Sequence, residues 1–137
     1  MSLVLDAEAV NALLDPRHPH ERRVRQAMEA ARRTGRKVTV ATVTLAELYR
    51  GTARSRALDA LLSRHGDALP LRDTDRRLAR LVGALLAEAG AGSEHLADAH
   101  AVAVAVESGG GVVMTSDPDD LARLAAAYGN VVIESLS

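Results

Sequence analysis

The sequence predicts an α/β protein built on one parallel sheet that is covered by helices on both faces. Short runs of consecutive apolar residues alternate along the chain with longer segments of helical periodicity, which is typical of strands buried on both faces. No Asn-Gly turn joins two strands, so hairpins are not indicated. The length of 137 residues favours a single domain, residues 1–137, with one core.

The N-terminal third of the chain predicts a strand followed by two helices. Residues 3–5 are an unbroken apolar run, and the helix-compatible segment 7–14 after it stops at Asp15-Pro16. Segment 20–34 has apolar residues at helical spacing on one face and arginines on the other, and Gly35 stands at its end.

The middle of the chain predicts two strands and three helices. Adjacent β-branched residues indicate a second strand, and glycine ends each of the two helices after it. Proline restricts the third strand to an edge of the sheet, and Thr74 can cap the longer amphipathic helix that follows. The predicted ranges are the strand 38–42, the helices 44–50 and 55–64, the edge strand 68–71, and the helix from Thr74 to about Ala89.

The C-terminal third predicts a central helix and then a strand, a helix and a strand. Segment 94–107, with Ser93 as its candidate cap, is apolar around most of its circumference, so we expect it to be buried. Three consecutive glycines end it. The last elements are the strand 112–114, a helix that starts at Pro118 and runs to Ala127, and the strand 131–133.

Residue types that the chain lacks exclude several kinds of site. Without Cys there is no disulfide, thiolate zinc site or cysteine nucleophile. Without Phe and Trp, we do not expect a platform on which nucleic-acid bases stack. The sequence starts without the basic flank and long apolar stretch of a signal peptide, and no apolar run approaches membrane-spanning length. We therefore expect a cytoplasmic protein with no membrane contact.

Charge is segregated along the chain, although the net charge is only -1. Residues 17–37 are rich in arginine, whereas residues 88–120 contain acids and neither Lys nor Arg. The first segment suits contact with phosphates and the second suits a bound cation.

Four acids are predicted to meet at one edge of the sheet. Asp6 and Asp117 each follow a strand, and Glu47 and Asp98 lie about one turn into helices that begin at the same edge. Each acid alone could be a helix cap or a charge near a helix N-terminus. Asp98 is harder to explain in this way, because its neighbours on the helix are apolar. Crowded carboxylates favour a hard divalent cation, Mg²⁺ or Mn²⁺.

Four segments resemble, in order and spacing, the signatures of PIN-domain ribonucleases, and most closely those of the VapC-like toxins of bacterial type II toxin–antitoxin pairs. The segments are Leu3–Asp6, Thr44–Gly51, Leu96–Ala101 and Thr115–Asp117. The resemblance implies a Rossmann-like sheet of five parallel strands and an endoribonuclease that depends on Mg²⁺ or Mn²⁺. It also implies a homodimer held with a cognate antitoxin.

The resemblance also assigns roles to residues at matching positions. Thr115 would be the hydroxyl that orients a carboxylate or a water on the metal. The metal ligands would be Asp6, Glu47, Asp98 and Asp117. The family often has Ser, Thr or Asn one or two residues after the first Asp, whereas this chain has Ala7 and Glu8, and Glu8 receives no role. Asp119 or Asp120 could supply a further acid outside the ligand set, but we expect both to be charges near a helix N-terminus.

Arginines are the predicted contacts with the RNA backbone. Arg50 is the foremost candidate because it lies one helical turn after Glu47, although it could instead neutralise acids within the protein. The full set is Arg17, Arg22, Arg23, Arg25, Arg50 and Arg54. No histidine is predicted to be catalytic; His100, for example, faces a different side of its helix from Asp98.

Two other functions stay open from the sequence. An aspartyl-phosphate protein, either a receiver domain or a phosphatase, also places Asp at strand ends. It needs a Lys near the phosphate, however, and the only Lys here, Lys37, starts a strand at the opposite edge. The second alternative is a catalytically silent PIN-like module that binds RNA or protein, and the retention of all four acids disfavours it.

Overall fold

Five parallel strands form the central sheet of the protein. In the computed structural model, which describes residues 1–137, the strands are β1 Ser2–Leu5, β2 Lys37–Ala41, β3 Leu71–Arg72, β4 Gly111–Thr115 and β5 Val131–Ser135. Their order across the sheet is β3-β2-β1-β4-β5, and all four pairings are parallel. The predicted fold class, a five-stranded parallel sheet with helices on both faces, is confirmed.

Seven α-helices connect and cover the strands. They are α1 Ala7–Leu13, α2 Glu21–Arg33, α3 Thr42–Leu48, α4 Thr52–His65, α5 Arg76–Ala89, α6 Leu96–Glu107 and α7 Pro118–Ala125. One-turn 3₁₀ helices at Gly66–Ala68 and Ser93–His95 precede β3 and α6. No helix combines the length and the apolar character that a bilayer span would need.

Three local predictions are wrong. The third strand has only two residues, because a 3₁₀ turn occupies the beginning of the predicted range 68–71. Asp75 rather than Thr74 caps α5, since its carboxylate accepts a hydrogen bond from the backbone N–H of Leu78 at 2.9 Å. Ser93 lies within the 3₁₀ turn before α6 and caps neither helix.

Side chains on alternate positions of the strands fill two apolar layers. In β1, Leu3 and Leu5 pack with α1, α2, α3 and α4, whereas Val4 packs with α5, α6 and α7 on the other face. Residues 99–105 of α6 are all buried, which confirms that this helix is central. Helices therefore cover both faces of the sheet.

The strand order creates a crevice beside β1. The chain proceeds outward from β1 through β2 to β3 and then returns to the other side of β1 as β4. Where the strand order reverses, the connections after two neighbouring strands run to opposite faces of the sheet. A space therefore opens beyond the carboxyl ends of these two strands. Asp6 follows β1 directly and Asp117 lies in the loop after β4, so both acids flank this space.

We predict that Gly111→Ala lowers the free energy of unfolding by more than about 2 kcal/mol. Gly111 has a φ of +156°, and a Cβ there would collide with the backbone of Ser2 on the neighbouring strand. Gly83 is a matched control, because it is exposed on α5 and has open space around a Cβ. Gly83→Ala should raise stability by about 0.5–1 kcal/mol in urea unfolding. Equal stability of the two variants would contradict this prediction.

Candidate metal centre

A cavity of about 250 Å³ lies beyond the carboxyl ends of β1 and β4. Six carboxylates and two hydroxyls contribute to its wall. The lining residues are Asp6, Ala7, Glu8, Thr44, Glu47, Glu94, Ala97, Asp98, Ser116 and Asp117. The structure therefore brings the four predicted metal ligands to one cavity, and their role as ligands stays a prediction.

Asp6 is the most buried acid of the cavity, with only 8% of the residue exposed. It caps α1, where its carboxylate accepts a hydrogen bond from the backbone N–H of Ala9 at 2.9 Å. Burial raises the pKa of Asp6 to about 6, although hydrogen bonds from the Thr115 hydroxyl and the Ala9 amide oppose the shift. In the metal-free protein Asp6 is thus easier to protonate than an ordinary aspartate.

Glu47 lies on α3 and faces the same cavity. Partial burial raises its pKa, and the negative charges of Asp98 and Glu8 raise it further. The positive charge of Arg50 acts in the opposite direction. The pKa of Glu47 therefore depends on the charges of both acids and of this arginine.

Asp98 belongs both to the cavity and to a mixed group with His95 and Asp120. One ligand atom from each of these three residues lies within 4.8 Å of the others, and His95 Nδ1 is 3.5 Å from Asp98 Oδ2. Partial burial raises the pKa of Asp98, while His95 lowers it and Asp120 raises it. Desolvation and a hydrogen bond with Asp120 also raise the pKa of Asp117. Asp120 is thus more than a charge at a helix N-terminus, because it contacts the acidic group itself.

Two buried hydroxyls adjoin the acids and differ in their partners. Thr115 is fully buried, and its Oγ1 accepts a hydrogen bond from the backbone N–H of Asp117 at 2.8 Å. The same side chain lowers the pKa of Asp6, so it lies beside that carboxylate as well as the Asp117 amide. Thr44 lines the cavity on α3, and its buried Oγ1 has no hydrogen-bond partner.

Six polar residues that line or adjoin the cavity were not among the predicted site residues: Glu8, Thr44, Glu94, His95, Ser116 and Asp120. A signal for three of them was present. Residues three apart in a helix lie on the same face. Thr44, His95 and Asp120 are each three positions from a predicted ligand. The pairs are Thr44 with Glu47, His95 with Asp98, and Asp120 with Asp117.

Two of the arginines predicted to contact RNA are hydrogen-bonded to other elements of the protein. Arg54 donates from Nε to the carbonyl of Leu48 at 3.1 Å and from Nη2 to Asn11 Oδ1 at 2.6 Å. It therefore connects α1, the end of α3 and α4. Arg23 donates to the carbonyl of Ser135 at 2.8 Å, which ties α2 to the end of β5.

The other four arginines, like Arg23, are exposed at the surface. Arg17 and Arg25 form exposed ion pairs with nearby acids on their own segments, and such pairs are weak. Arg22 and Arg50 are exposed and make no side-chain hydrogen bond. Arg50 is the only predicted arginine whose charge acts on a cavity acid, because it lowers the pKa of Glu47.

Lys37 begins β2 and therefore lies at the edge of the sheet opposite the acids. No Lys or Arg lines the cavity. An aspartyl-phosphate site with a lysine beside the phosphate is therefore not formed here.

Comparisons with known proteins agree with this architecture. A model of the PIN domain family matches residues 3–127. A chain in the crystal structure of VapBC2 from Rickettsia felis, bound to a DNA fragment from its promoter, is similar over 98% of both chains, with 19% identity and a TM-score of 0.64. At that identity the likeness shows a shared fold. Curated protein sequences gave no match.

In the metal-free protein, we predict that Asp6→Asn raises the free energy of unfolding at pH 8 by about 1–3 kcal/mol. Folding raises the pKa of Asp6 from 3.8 to about 6, so the folded state binds more protons between these values. The stability that Asp6 contributes is therefore complete below about pH 4 and is lost as the pH rises through about 6. In urea titrations with a chelator, Asp6→Asn should therefore lose less unfolding free energy than the wild type as the pH rises from about 4 to 8.

Asp75 provides a matched control, because it also caps a helix through a 2.9 Å hydrogen bond from a backbone N–H. That bond and the Arg72 side chain lower the pKa of Asp75, so its ionised form stabilises the folded state. Asp75→Asn should consequently reduce stability above about pH 4. A loss of stability in Asp6→Asn at pH 8 would contradict the prediction.

Proposed function

The chain belongs to the PIN domain family, and from that premise we propose that it is a metal-dependent endoribonuclease and the toxin of a type II toxin–antitoxin pair. The observation that carries the proposal is the cavity at the ends of β1 and β4. Its charged side chains are all carboxylates, and no lysine or arginine lines it to neutralise them. Such a site fits a reaction at a phosphodiester that needs a bound cation.

The side chains of the cavity fit a hard divalent cation. Oxygen ligands without sulfur suit Mg²⁺ or Mn²⁺. The pKa values of all four acids are raised, first by loss of solvent and then by negative neighbours, which is the environment that a bound cation would relieve. The residues that would hold the ion are Asp6, Glu47, Asp98 and Asp117. When bound, Mg²⁺ or Mn²⁺ supplies a water of lowered pKa and stabilises the charge that develops on the phosphate.

Other residues position these acids. The Ala9 amide and the Thr115 hydroxyl hold the carboxylate of Asp6 from two elements. Arg54 bonds the carbonyl of Leu48, the residue after Glu47, and thereby fixes the end of α3 relative to α1. We therefore propose a positioning role for Arg54 in place of a contact with RNA.

We propose that Arg50 contacts a phosphate of the RNA next to the cleaved bond. It is exposed, it has no side-chain partner, and its charge reaches Glu47. The exposed Arg17, Arg22 and Arg25 are further candidates for phosphate contact. Because Phe and Trp are absent, binding should depend on the RNA backbone more than on base stacking.

We also propose that an antitoxin restrains this nuclease and that the toxin is a homodimer. The support is the resemblance of the four segments to VapC-like toxins, together with the fold shared with a chain of the Rickettsia felis VapBC2. Promoter DNA is bound in that structure, so the equivalent complex here would bind the DNA of its own promoter.

We predict that the purified chain cleaves RNA in Mg²⁺ or Mn²⁺ and that a chelator abolishes the cleavage. Asp6→Asn and Asp98→Asn should each lower kcat/KM by at least about 100-fold, because each removes a charged ligand from the site. Asp67→Asn is the control and should leave the rate unchanged, since Asp67 is exposed in the 3₁₀ turn after α4. Cleavage of a fluorescent RNA gives these values.

Activity that survives the chelator, or equal activity in all variants, would contradict the metal mechanism. RNA binding in Ca²⁺ without cleavage in any metal would instead favour a silent binding module.

We further predict that Arg50→Ala weakens RNA binding, whereas Arg54→Ala lowers stability. Arg50→Ala should weaken RNA binding and reduce the slope of log affinity against log salt by about 1, because one phosphate contact is lost. Arg54→Ala should lower the free energy of unfolding by about 1–3 kcal/mol, because it removes two hydrogen bonds. Salt titrations in Ca²⁺ and urea unfolding distinguish the two. An unchanged salt slope in Arg50→Ala would remove Arg50 from the RNA interface.

A further inference from the structure

The Thr44 hydroxyl is a buried polar group with no partner in the protein. The residue is 1% exposed, and Oγ1 makes no hydrogen bond. It lines the cavity that contains Asp6, Glu47 and Asp98. Because buried hydroxyls are normally satisfied, this one indicates a ligand inside the cavity.

Other threonines of the chain show what Thr44 lacks. The Thr34 hydroxyl donates to the carbonyl of Ala30 at 3.0 Å, which is the usual bond of a helical threonine to the preceding turn. The Thr42 hydroxyl, two residues before Thr44, donates to the carboxylate of Asp73. Thr44 is the third residue of α3, so no helical turn precedes it, and its hydroxyl makes neither kind of bond.

A water molecule is the ligand that fits at Thr44. A water needs about two to four polar partners, and the hydroxyl and the carboxylates that line the same cavity offer them. The cavity of about 250 Å³ has room for several waters. Thr44 is more buried than any of the acids, so a small molecule reaches it more readily than a phosphate that belongs to a polymer.

We propose that Thr44 is a positioning residue that holds the attacking water, an inference that rests on the proposed nuclease function. Oγ1 accepts one proton of the water, and a carboxylate of the cavity accepts the other. The water oxygen then forms a bond to phosphorus while the second proton passes to that carboxylate. The bond from phosphorus to the ribose oxygen breaks, that oxygen takes a proton from bulk water and leaves as a hydroxyl, and the carboxylate returns its proton to bulk water. Thr44 touches neither leaving group nor cation in this step and acts by fixing the direction of attack.

Three variants test the proposal. Thr44→Val keeps the shape of the side chain and removes the hydroxyl, whereas Thr44→Ser keeps the hydroxyl and removes the methyl group. Thr39→Val is the control, because Thr39 is a buried threonine on β2 that does not line this cavity. With RNA and Mn²⁺, Thr44→Val should lower kcat by about 100-fold and leave KM within about threefold. Thr44→Ser and Thr39→Val should keep kcat within about threefold of the wild type.

Crystal structures provide a readout that does not depend on activity. The metal-free wild type should show an ordered water at about 2.5–3.0 Å from Thr44 Oγ1, and Thr44→Val should lack it. Absence of that water would overturn the proposal. So would full kcat in Thr44→Val, or a loss in Thr44→Ser equal to that in Thr44→Val. A wild type that cleaves no RNA in either metal would overturn the proposed function, whereas an active wild type with an equally active Thr44→Val would overturn only the role of Thr44.

Discussion

Repulsion among carboxylates is the constraint on which the arrangement around β1 and β4 depends. The parallel sheet places Asp6 and Asp117 at neighbouring strand ends, and the buried helix α6 adds Asp98 between them. Each acid loses solvent and gains negative neighbours, which raises its pKa. The metal-free fold therefore carries an electrostatic cost at the same place where a divalent cation would be bound.

Contacts around the cavity keep the acids in place against this repulsion. Thr115 joins the loops after two adjacent strands through Asp6 and the Asp117 amide. Arg54 joins three helices on the other side by bonding a side chain of α1 and a carbonyl of α3. A preorganised site of this kind needs rigid support, and both supports come from groups that do not line the cavity.

The sequence predicted most of the sheet because β1, β4 and β5 each contain at least three consecutive apolar residues and the longer helices have their own periodicity, whereas the two-residue β3 has no such signal. The four acids were predictable from the rule that parallel strands present their carboxyl ends at one edge. Thr44 and His95 were harder to predict as cavity residues, because a threonine or histidine in or next to a helix is common without any functional role. Partners distant in sequence could not be predicted at all, and nothing near Arg54 shows that Asn11 will hold it. The cap of α5 is a local error: Thr74 and Asp75 are both suitable N-cap residues, and only the folded backbone decides that Asp75 reaches Leu78.

The strand order also determines when the cavity can exist during synthesis of the chain. β1 is made before β2 and β3, whereas its neighbour β4 and the loop that carries Asp117 are made only after α6. A nascent chain that has emerged only as far as α5 contains Asp6 and Glu47 without the acids that complete the wall. Because domains form as units once their chain is available, the full set of carboxylates assembles only after β4 has been made. If the chain has the nuclease activity proposed above, that activity must wait until β4 and the loop after it have joined β1.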